Sequence, residues 1–252
     1  MMSLVYRNIL VISDNSHLCR EFENLISELE LEKLNWVFSI SPFSNLSEFK
    51  AKLKNEVSIR NLKEHSTVVE ICKDFDLVFS IHCKQIFPKL MVKNIKCINV
   101  HPGYNPINRG WYPQVFAIVN ELPIGATIHE IDEELDHGEI IDRKFVKKSI
   151  TDTSLSLYSK VISMEIQLLK KNLLNILQND YKTLSPDNKE GNLFLKKDFN
   201  ELCKIDLSRN YQAKDFINLL RALTHGEYSN AYFVNPGNNR KVFVTIRLEE
   251  EE

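Results

Sequence analysis

Hydrophobic residues in the first half of the chain follow two alternating patterns. Short apolar runs, typical of buried strands, alternate with segments in which apolar residues recur every three or four positions, typical of amphipathic helices. Residues 8–13 form the first run, and helical spacing follows at Leu18, Phe22, Leu25, Ile26 and Leu29. Further strands are predicted at 36–40, 76–80 and 96–100, and a helix at 44–54. This order predicts an α/β, Rossmann-like fold: a mostly parallel sheet flanked by helices, with right-handed crossovers.

The pattern changes in the second half. Residues 125–131 and 140–146 predict two strands, and residues from about 153 to 178 predict a long helix. A stretch rich in Asp, Asn, Ser, Pro and Gly at 179–192 is typical of a linker. Beyond it the sequence predicts a helix at 213–223 and a hairpin from 231–234 and 241–247. We therefore expect a main domain at 1–180 and a small C-terminal α+β segment at 193–252. That segment is too short to bury its own core, so it should pack on the main domain or on a partner chain.

Composition and charge argue against several classes of protein. The 252 residues are 43% hydrophobic, as in a globular protein with a core. A net charge of -2, with lysine and arginine dispersed along the chain, argues against a nucleic-acid binder. The sequence contains no secretory signal pattern and no apolar run of 18 residues, and its five cysteines lie far apart without a CxxC pair. These features predict a cytoplasmic protein without a membrane partner.

The first strand is not followed by a glycine-rich loop. A dinucleotide-binding unit needs the pattern G-x-G-x-x-G there, so that the backbone can approach the pyrophosphate, but residues 13–22 contain no glycine. No G-x-x-x-x-G-K-[ST] phosphate-binding loop occurs either. The sequence therefore gives no support to NAD as a cofactor or to an NAD-dependent oxidoreductase.

Candidate chemistry lies between residues 97 and 141. Asn99 and His101 flank Val100 at the carboxyl end of a predicted strand, the edge where open α/β sheets bind ligands. Alternation along the strand sends both side chains to one side. Asp136 follows in an acidic loop. An amide that donates to an oxyanion, an imidazole that transfers protons and a carboxylate that orients it suit acyl transfer to an amine.

Each of these residues has a simpler interpretation when taken alone. A histidine at a strand end is most often structural, and the segment Asp136-His137-Gly138 is typical of a turn in which Gly138 adopts a positive φ. Trp111 and Tyr112 fit the core or its rim as well as a ligand site. The order and combination of the motifs nevertheless favour a functional site.

Three separated motifs resemble the signature of the folate-dependent formyltransferases. They are Asn99-Val100-His101-Pro102-Gly103, Gly125-Ala126-Thr127-Ile128-His129 and Asp136-His137-Gly138-Glu139-Ile140-Ile141. The resemblance implies that Asn99, His101 and Asp136 are the catalytic set and that 10-formyltetrahydrofolate is the formyl donor, with no metal ion. It further implies direct transfer, in which Asn99 and a protonated His101 stabilise the oxyanion while Asp136 holds His101. Which group takes the amine proton stays open.

The resemblance also implies binding residues and a substrate. The pterin is expected on backbone-rich loops, represented here by Ile81, His82, Lys84, Phe87, Ile131 and Asp132; Ile86 and Phe87 fit helix packing equally well. The continuation Gly103-Tyr104-Asn105-Pro106 is similar to family members that act on dTDP-4-amino-4,6-dideoxyglucose, a precursor of O-antigen in lipopolysaccharide. Contacts to such a dTDP-amino sugar are predicted at Tyr104, Asn105, Arg109, Trp111, Tyr211 and Arg221, with Arg109 and Arg221 as the candidates for its diphosphate. The C-terminal segment is expected beside the Arg109–Trp111 loop or across a homodimer.

Two kinds of alternative remain at this point. The acceptor could be a tRNA, a ribonucleotide or water, which would keep the chemistry and change the reaction. A non-catalytic folate- or nucleotide-binding module would keep the fold alone, and the intact set of Asn99, His101 and Asp136 argues against it.

Overall fold

A central sheet of seven strands organises the computed structural model of the chain, which describes residues 4–187 and 191–251. The strands are β1 (Asn8–Ser13), β2 (Asn35–Ile40), β3 (Val57–Ile59), β4 (Leu77–Ile81), β5 (Lys96–His101), β6 (Arg109–Gly110), β7 (Ile124–Glu130), β8 (Ile140–Val146), β9 (Leu193–Phe194), β10 (Thr224–His225), β11 (Tyr228–Ser229), β12 (Tyr232–Val234) and β13 (Lys241–Phe243). The helices are α1 (Ser16–Glu28), α2 (Leu46–Lys52), α3 (His65–Asp74), α4 (Lys89–Asn94), α5 (Pro113–Val119), α6 (Ser154–Leu177), α7 (Lys196–Leu202) and α8 (Ala213–Leu223).

The order of strands in the sheet is β3-β2-β1-β4-β5-β7-β8. Strands β1 to β5 are parallel to one another, whereas β7 runs antiparallel to β5 and β8 antiparallel to β7. The chain leaves the β3 edge and returns to the centre at β4, so the strand order reverses between β1 and β4. The prediction of a mostly parallel α/β sheet is confirmed. The carboxyl ends of β1, β4 and β5 form the edge where such sheets bind ligands.

Both faces of the sheet are covered, which explains the continuous apolar runs of its central strands. Ile9 and Val11 of β1 pack in one core cluster with α1, α5 and α6, while Leu10 and Ile12 pack in a second cluster with α3 and α4. The long helix α6 begins at Thr153, whose hydroxyl accepts from the Ser156 N–H in a capping box. This cap fixes where the helix begins. Helix α6 packs against β7 and β8.

The C-terminal segment packs on the main domain, as its small size predicts. Its buried apolar residues belong to the same core cluster as the sheet: Cys203, Ile205, Leu219, Leu220, Ala222, Leu223 and Ala231. Strand β9 pairs with β6, with Arg109 opposite Leu193 and Gly110 opposite Phe194. The ring of Phe194 stacks on that of Phe116 in α5, with centroids 4.0 Å apart. The segment thus docks beside the Arg109–Trp111 loop.

Some elements differ from the prediction. Strands β3, β6, β9, β10 and β11 and helices α3, α4, α5 and α7 lie where the sequence analysis assigned no regular structure. The predicted linker is not free along its length, because Leu184 pairs with Ile140 at the start of β8. Residues 188–190 of that linker, and residues 1–3 and 252 of the expected domains, lie outside the described residues. None of the helices within the described ranges has the length and apolar character needed to span a membrane.

Candidate active site

The three predicted catalytic residues come together at the carboxyl edge of the sheet. Asn99 and His101 end β5, and Asp136 lies in the loop between β7 and β8. Because β7 is antiparallel to β5, its residues His129 and Thr127 stand opposite Asn99 and His101. The alternation predicted for the strand holds, and both side chains meet the same carboxylate.

Asp136 is a buried carboxylate with two hydrogen-bond donors. The Asn99 Nδ2 donates to Oδ1 at 3.0 Å, and the Gly110 backbone N–H donates to Oδ2 at 2.9 Å. Burial by itself raises the pKa of Asp136, but the neighbouring His101 and His129 and the Gly110 N–H outweigh it, so the pKa lies below its usual value. The carboxylate is therefore ionised at neutral pH.

Asp136 also carries the backbone strain of its loop. Its φ is 48°, in the left-handed region that an aspartate adopts only at a cost. The prediction that Gly138 supplies a positive φ here is wrong. Gly138 is needed for another reason, since a Cβ at this position would lie 1.9 Å from the carbonyl oxygen of Glu130.

His101 is oriented by a backbone carbonyl. Its Nε2–H donates to the carbonyl oxygen of Asn108 at 2.7 Å, whereas Nδ1 lies 3.6 Å from Asp136 Oδ2, beyond hydrogen-bond distance. Since a carbonyl can only accept, the proton belongs on Nε2, and Nδ1 is the nitrogen that titrates. Burial lowers the pKa of His101, and the Asp136 charge offsets this only in part.

Two expectations about His101 can be compared with these observations. The lowered pKa of His101 favours a neutral resting imidazole at pH 7, whereas the protonated form was expected during transfer and stays a prediction. Asp136 acts on it through its charge, while Asn108 holds the ring. Gly103 makes this arrangement possible, since a Cβ there would lie 2.5 Å from both the His101 Nε2 and the Asn108 carbonyl oxygen.

Two residues of β7 belong to the site although no role was predicted for them. His129 Nδ1 donates to the Glu130 carbonyl at 2.7 Å, so its Nε2 is free to accept from Asn99 Nδ2 at 3.1 Å. Thr127 Oγ1 donates to the Gly103 carbonyl at 2.7 Å and accepts from the Asn105 N–H at 3.1 Å. Both lie in the second sequence motif, and antiparallel pairing of that motif with β5 was the signal that could have placed them.

The predicted folate-binding residues lie in two loops beside this cluster. Ile81 and Phe87 are buried in the two cores, so only their backbone groups can face a ligand. His82 turns its side chain towards α6, while the Lys84 N–H donates to Asp14 at 2.6 Å. In the second loop, Ile131 packs against the α3–α4 cluster, and the side chain of Asp132 bonds to His137 at 2.5 Å.

Of the predicted sugar-nucleotide residues, Tyr104 stacks on a second aromatic ring and lies near a guanidinium. Its ring stacks on Phe145 with centroids 3.6 Å apart, and the Arg143 guanidinium lies 4.5 Å from its centroid. Asn105, in contrast, is buried, and its Nδ2 donates to the Asp136 carbonyl at 3.0 Å. The geometry gives Asn105 the role of holding the Asp136 loop rather than a surface for substrate.

The remaining predicted contacts fall in two places. Arg109 and Trp111 adjoin the C-terminal segment through backbone bonds to Asn192 and Phe194, and the Lys196 Nζ lies 5.6 Å from the Trp111 ring. Tyr211 precedes α8, and the Arg209 guanidinium lies 5.1 Å from its ring.

Arg221 does not have the geometry predicted for a diphosphate ligand. It is 5% exposed, its Nε donates to Asn218 at 2.9 Å, and one terminal nitrogen donates to the carbonyls of Ser149 and Asp152 at 3.1 and 2.8 Å. These bonds join α8 to the turn before α6. Arg221 is thus a structural residue, and burial lowers its pKa.

The polar residues that the structure describes at the site do not form a metal-binding group. Within residues 4–187 and 191–251, no group of three or more His, Cys, Asp or Glu side chains is arranged to hold a metal ion.

Comparison with known families agrees with the geometry of the catalytic cluster. The family profile described as "Formyl transferase" matches residues 9–173, which include all three residues of the cluster. The chain belongs to the formyl transferase family. A second profile, "N-formyltransferase dimerization C-terminal domain", matches residues 198–250.

Individual members of the formyl transferase family are similar over most of the chain. The dTDP-4-amino-4,6-dideoxyglucose formyltransferase of Mycobacterium bovis is 46% identical over 185 residues, which cover 73% of this chain and 78% of that protein. A sugar N-formyltransferase from Shewanella sp FDAARGOS_354 has a TM-score of 0.91 at 36% identity, covering 98% and 99% of the two chains. The sugar 3N-formyl transferase WlaRD, solved in the presence of dTDP and 5-N-formyl-THF, has a TM-score of 0.73 at 26% identity, covering 94% and 84%. The predicted enzyme class, a folate-dependent N-formyltransferase, is confirmed.

Proposed function

We propose that this formyl transferase moves the formyl group of 10-formyltetrahydrofolate to the amine of dTDP-4-amino-4,6-dideoxyglucose, in the cytoplasm, as a step towards lipopolysaccharide O-antigen. The observation that carries the proposal is the cluster of Asn99, His101 and ionised Asp136 at the carboxyl edge of the sheet. The identity with the Mycobacterium bovis enzyme supports this acceptor. All five cysteines are free thiols, which suits a reducing compartment.

The cluster suits direct transfer from one nitrogen to another. The acceptor amine forms a bond to the formyl carbon, and the bond from that carbon to the folate nitrogen breaks. Neutral His101 has a lone pair on Nδ1 and can take the proton that the amine loses. The adjacent Asp136 carboxylate stabilises the imidazolium so formed. A proton must then reach the departing folate nitrogen, and His101 can return the one it accepted.

Asn99 is the donor for the oxygen that becomes negative during transfer. Both hydrogens of its Nδ2 are engaged here, by Asp136 at 3.0 Å and by His129 at 3.1 Å. The formyl oxygen has to replace one of these acceptors. We place it at the His129 position, because Asp136 is the stronger, charged acceptor and its bond also holds the loop.

The residues beside the cluster fit a reduced folate. Ile86, in the loop after β4, is 81% exposed and offers apolar surface to a flat ring. We propose that Ile81, His82, Lys84, Phe87, Ile131 and Asp132 line the folate side through their backbone. The side chains of Ile81 and Phe87 are buried, and those of His82 and Asp132 are bonded within the protein, so their backbone groups are the ones left to face a ligand.

The acceptor is proposed to lie on the side of the C-terminal segment. The candidates for contacts to the dTDP-amino sugar are Tyr104, which stacks on Phe145, and Arg109, Trp111 and Tyr211. We further propose a homodimer formed through residues 193–252, supported by the dimerisation profile that matches 198–250.

Product analysis tests the proposal. The protein is incubated with 10-formyltetrahydrofolate and a panel of dTDP-, GDP- and UDP-linked sugars with the amine at C3 or C4, and the products are identified by mass spectrometry. We expect formylation of dTDP-4-amino-4,6-dideoxyglucose at the highest kcat/KM. Preference for another nucleotide or amine position would replace the acceptor, and loss of formyl from the folate without any sugar would point to a hydrolase.

A further inference from the structure

A second histidine–carboxylate pair lies at the same edge of the sheet and has no part in the transfer just described. His82 follows β4, and Glu165 lies on α6 with no exposed surface. The His82 Nε2 is 2.8 and 3.0 Å from the two Glu165 oxygens. A buried pair of this kind is not needed for the stability of a fold, because apolar residues of similar volume at the same positions often stabilise a protein as well. Its position therefore calls for a functional explanation.

The hydrogen bonds around the pair fix where its protons lie. The Oδ1 of Asn15 caps α1 by accepting from the Leu18 N–H, so Nδ2 is the atom that faces Tyr158 and donates to its hydroxyl at 3.0 Å. The Tyr158 hydroxyl in turn lies 3.0 Å from His82 Nδ1. Because an ionised carboxylate can only accept, His82 carries a proton on Nε2 and donates it to Glu165.

These bonds determine the backbone after β4. His82 has a φ of 54°, a left-handed conformation that is unfavourable for a residue with a side chain and persists only when its surroundings hold it. Continued alternation would send His82 to the α3–α4 side of the sheet, with Val78. The left-handed turn instead brings the side chain to α6, on the opposite face. Bonding to Glu165 and Tyr158 is what holds this turn.

The turn is the start of the proposed folate-binding loop, and it adjoins the catalytic strand. The register pairs Ser80 with Asn99 and Ile81 with Val100, so His82 follows beside the end of β5 at His101. Two residues later the Lys84 N–H is fixed by Asp14. The first residues of the loop are thus held by two carboxylates, the buried Glu165 and the partly buried Asp14.

We propose that Glu165 is a positioning residue for formyl transfer: through His82 it fixes the backbone of the folate-binding loop. The inference rests on the proposed function. His101 provides a second readout of the Glu165 charge, because Asp136 in the β7–β8 loop, His129 on β7 and Glu165 on α6 all act on the pKa of His101. The two carboxylates favour the protonated form of His101, while burial and His129 disfavour it.

The test compares two variants with a matched control. Glu165→Gln removes the charge and retains the shape of the side chain. His82→Asn introduces a residue that tolerates a left-handed φ but has a side chain too short to reach α6. Glu23→Gln is the control, since Glu23 is also a buried helix carboxylate but bonds only to the Lys54 and Asn55 region. For each protein we measure the dissociation constant of 5-N-formyl-THF by calorimetry, KM for both substrates, and kcat against pH.

Both site variants should weaken 5-N-formyl-THF binding and raise the folate KM about tenfold, the effect of one lost charge-assisted hydrogen bond, with the sugar KM unchanged. Glu165→Gln should also move the acid limb of kcat to lower pH, whereas Glu23→Gln should change neither binding nor the limb. If a folded Glu165→Gln keeps the wild-type folate affinity and acid limb, the inference is wrong. Should Glu165→Gln fail to fold, wild-type folate affinity in His82→Asn overturns it equally. A wild-type protein that neither binds the folate nor transfers formyl contradicts the proposed function instead.

Discussion

At the scale of single residues, the protonation of His101 determines how the centre can react. Nε2 is committed to the Asn108 carbonyl, so every proton gained or lost passes through Nδ1, 3.6 Å from Asp136. Burial lowers the pKa of this imidazole, and a neutral ring acts as a base. The pKa of Asp136 is lowered as well, but for a carboxyl group a lowered pKa favours the charged form over the same pH range. The pair therefore rests as neutral imidazole and carboxylate.

This resting state predicts the pH dependence of the wild type and of Asp136→Asn. Because the His101 pKa is lowered, kcat should stay level through neutral pH and fall only below the ordinary histidine value of about 6.5. Asp136→Asn removes a charge that raises the His101 pKa, so its acid limb should move to still lower pH. Its kcat should fall about 10²- to 10⁴-fold, the range for a positioned acid–base group.

Steady-state rates between pH 4.5 and 9 check this prediction, with circular dichroism at each pH to confirm folding. The free energy of unfolding in urea, measured against pH, provides an independent control. It should also fall as the pH falls. The unfolded chain takes up the His101 proton at higher pH than the folded chain, so this contribution to stability is present above about pH 6.5 and is lost as the pH falls. An acid limb of kcat above pH 7 would contradict a lowered His101 pKa.

The meeting of the catalytic residues was predictable from sequence, but their bonding was not. Strand alternation and the sheet-edge rule place Asn99 and His101 together, and the family resemblance adds Asp136. Their partners Asn108 and Gly110 depend on the path of the 104–110 segment, which has little regular structure. The sequence does not show that a carbonyl, rather than the carboxylate, orients the imidazole.

At the scale of elements, helices with a narrow or very wide apolar face were the ones missed. In α3 only Val68 and Ile71 are buried, and Glu64 provides no side-chain cap, so the period is too weak to detect. In α5 the first six of seven residues are buried, from Pro113 to Ile118, and a helix buried all round has no polar face to reveal its period. A proline at its first position was an available signal. The long helix α6 has an apolar face and an N-terminal capping box, and both of its ends were predicted to within about one residue.

Arg221 allows a test of how α8 is fastened to the main domain. It donates to the Ser149 and Asp152 carbonyls from a buried position, so Arg221→Ala leaves both without that donor. We expect the free energy of unfolding to fall by about 2–4 kcal/mol, with dTDP affinity unchanged in the folded protein.

Urea unfolding and calorimetric titration with dTDP measure the two effects of Arg221→Ala. Arg240→Ala is the control, because Arg240 lies exposed in the β12–β13 turn and its loss should change stability by no more than about 0.5 kcal/mol. If Arg221→Ala retains full stability and loses dTDP binding, the original assignment to the diphosphate is restored.

At the scale of the whole molecule, the β12–β13 hairpin leaves apolar surface exposed. A two-stranded hairpin is marginally stable in water unless it packs on something else. Tyr232 and Phe233 pack against the main core, but Val242 and Phe243 of β13 are 37% and 49% exposed. The dimerisation profile covers this hairpin. A second copy of the chain is the occupant that these observations favour.

The homodimer can be tested by placing a charge on this surface. In the dimer, Phe243→Asp would bury a carboxylate against apolar groups. In the monomer the same position is half exposed, so the carboxylate stays in water and we expect the variant to dissociate. Phe43→Asp is the matched control, since Phe43 is 63% exposed in the turn after β2, outside the hairpin. Sedimentation velocity at micromolar concentration should show dimers for the wild type and Phe43→Asp, and monomers for Phe243→Asp.

The melting temperature of the wild type should rise with protein concentration, because association stabilises the folded chain, and that dependence should disappear in Phe243→Asp. A wild-type monomer under these conditions would contradict the proposed dimer, and a dimer that survives Phe243→Asp would place the interface elsewhere on the chain.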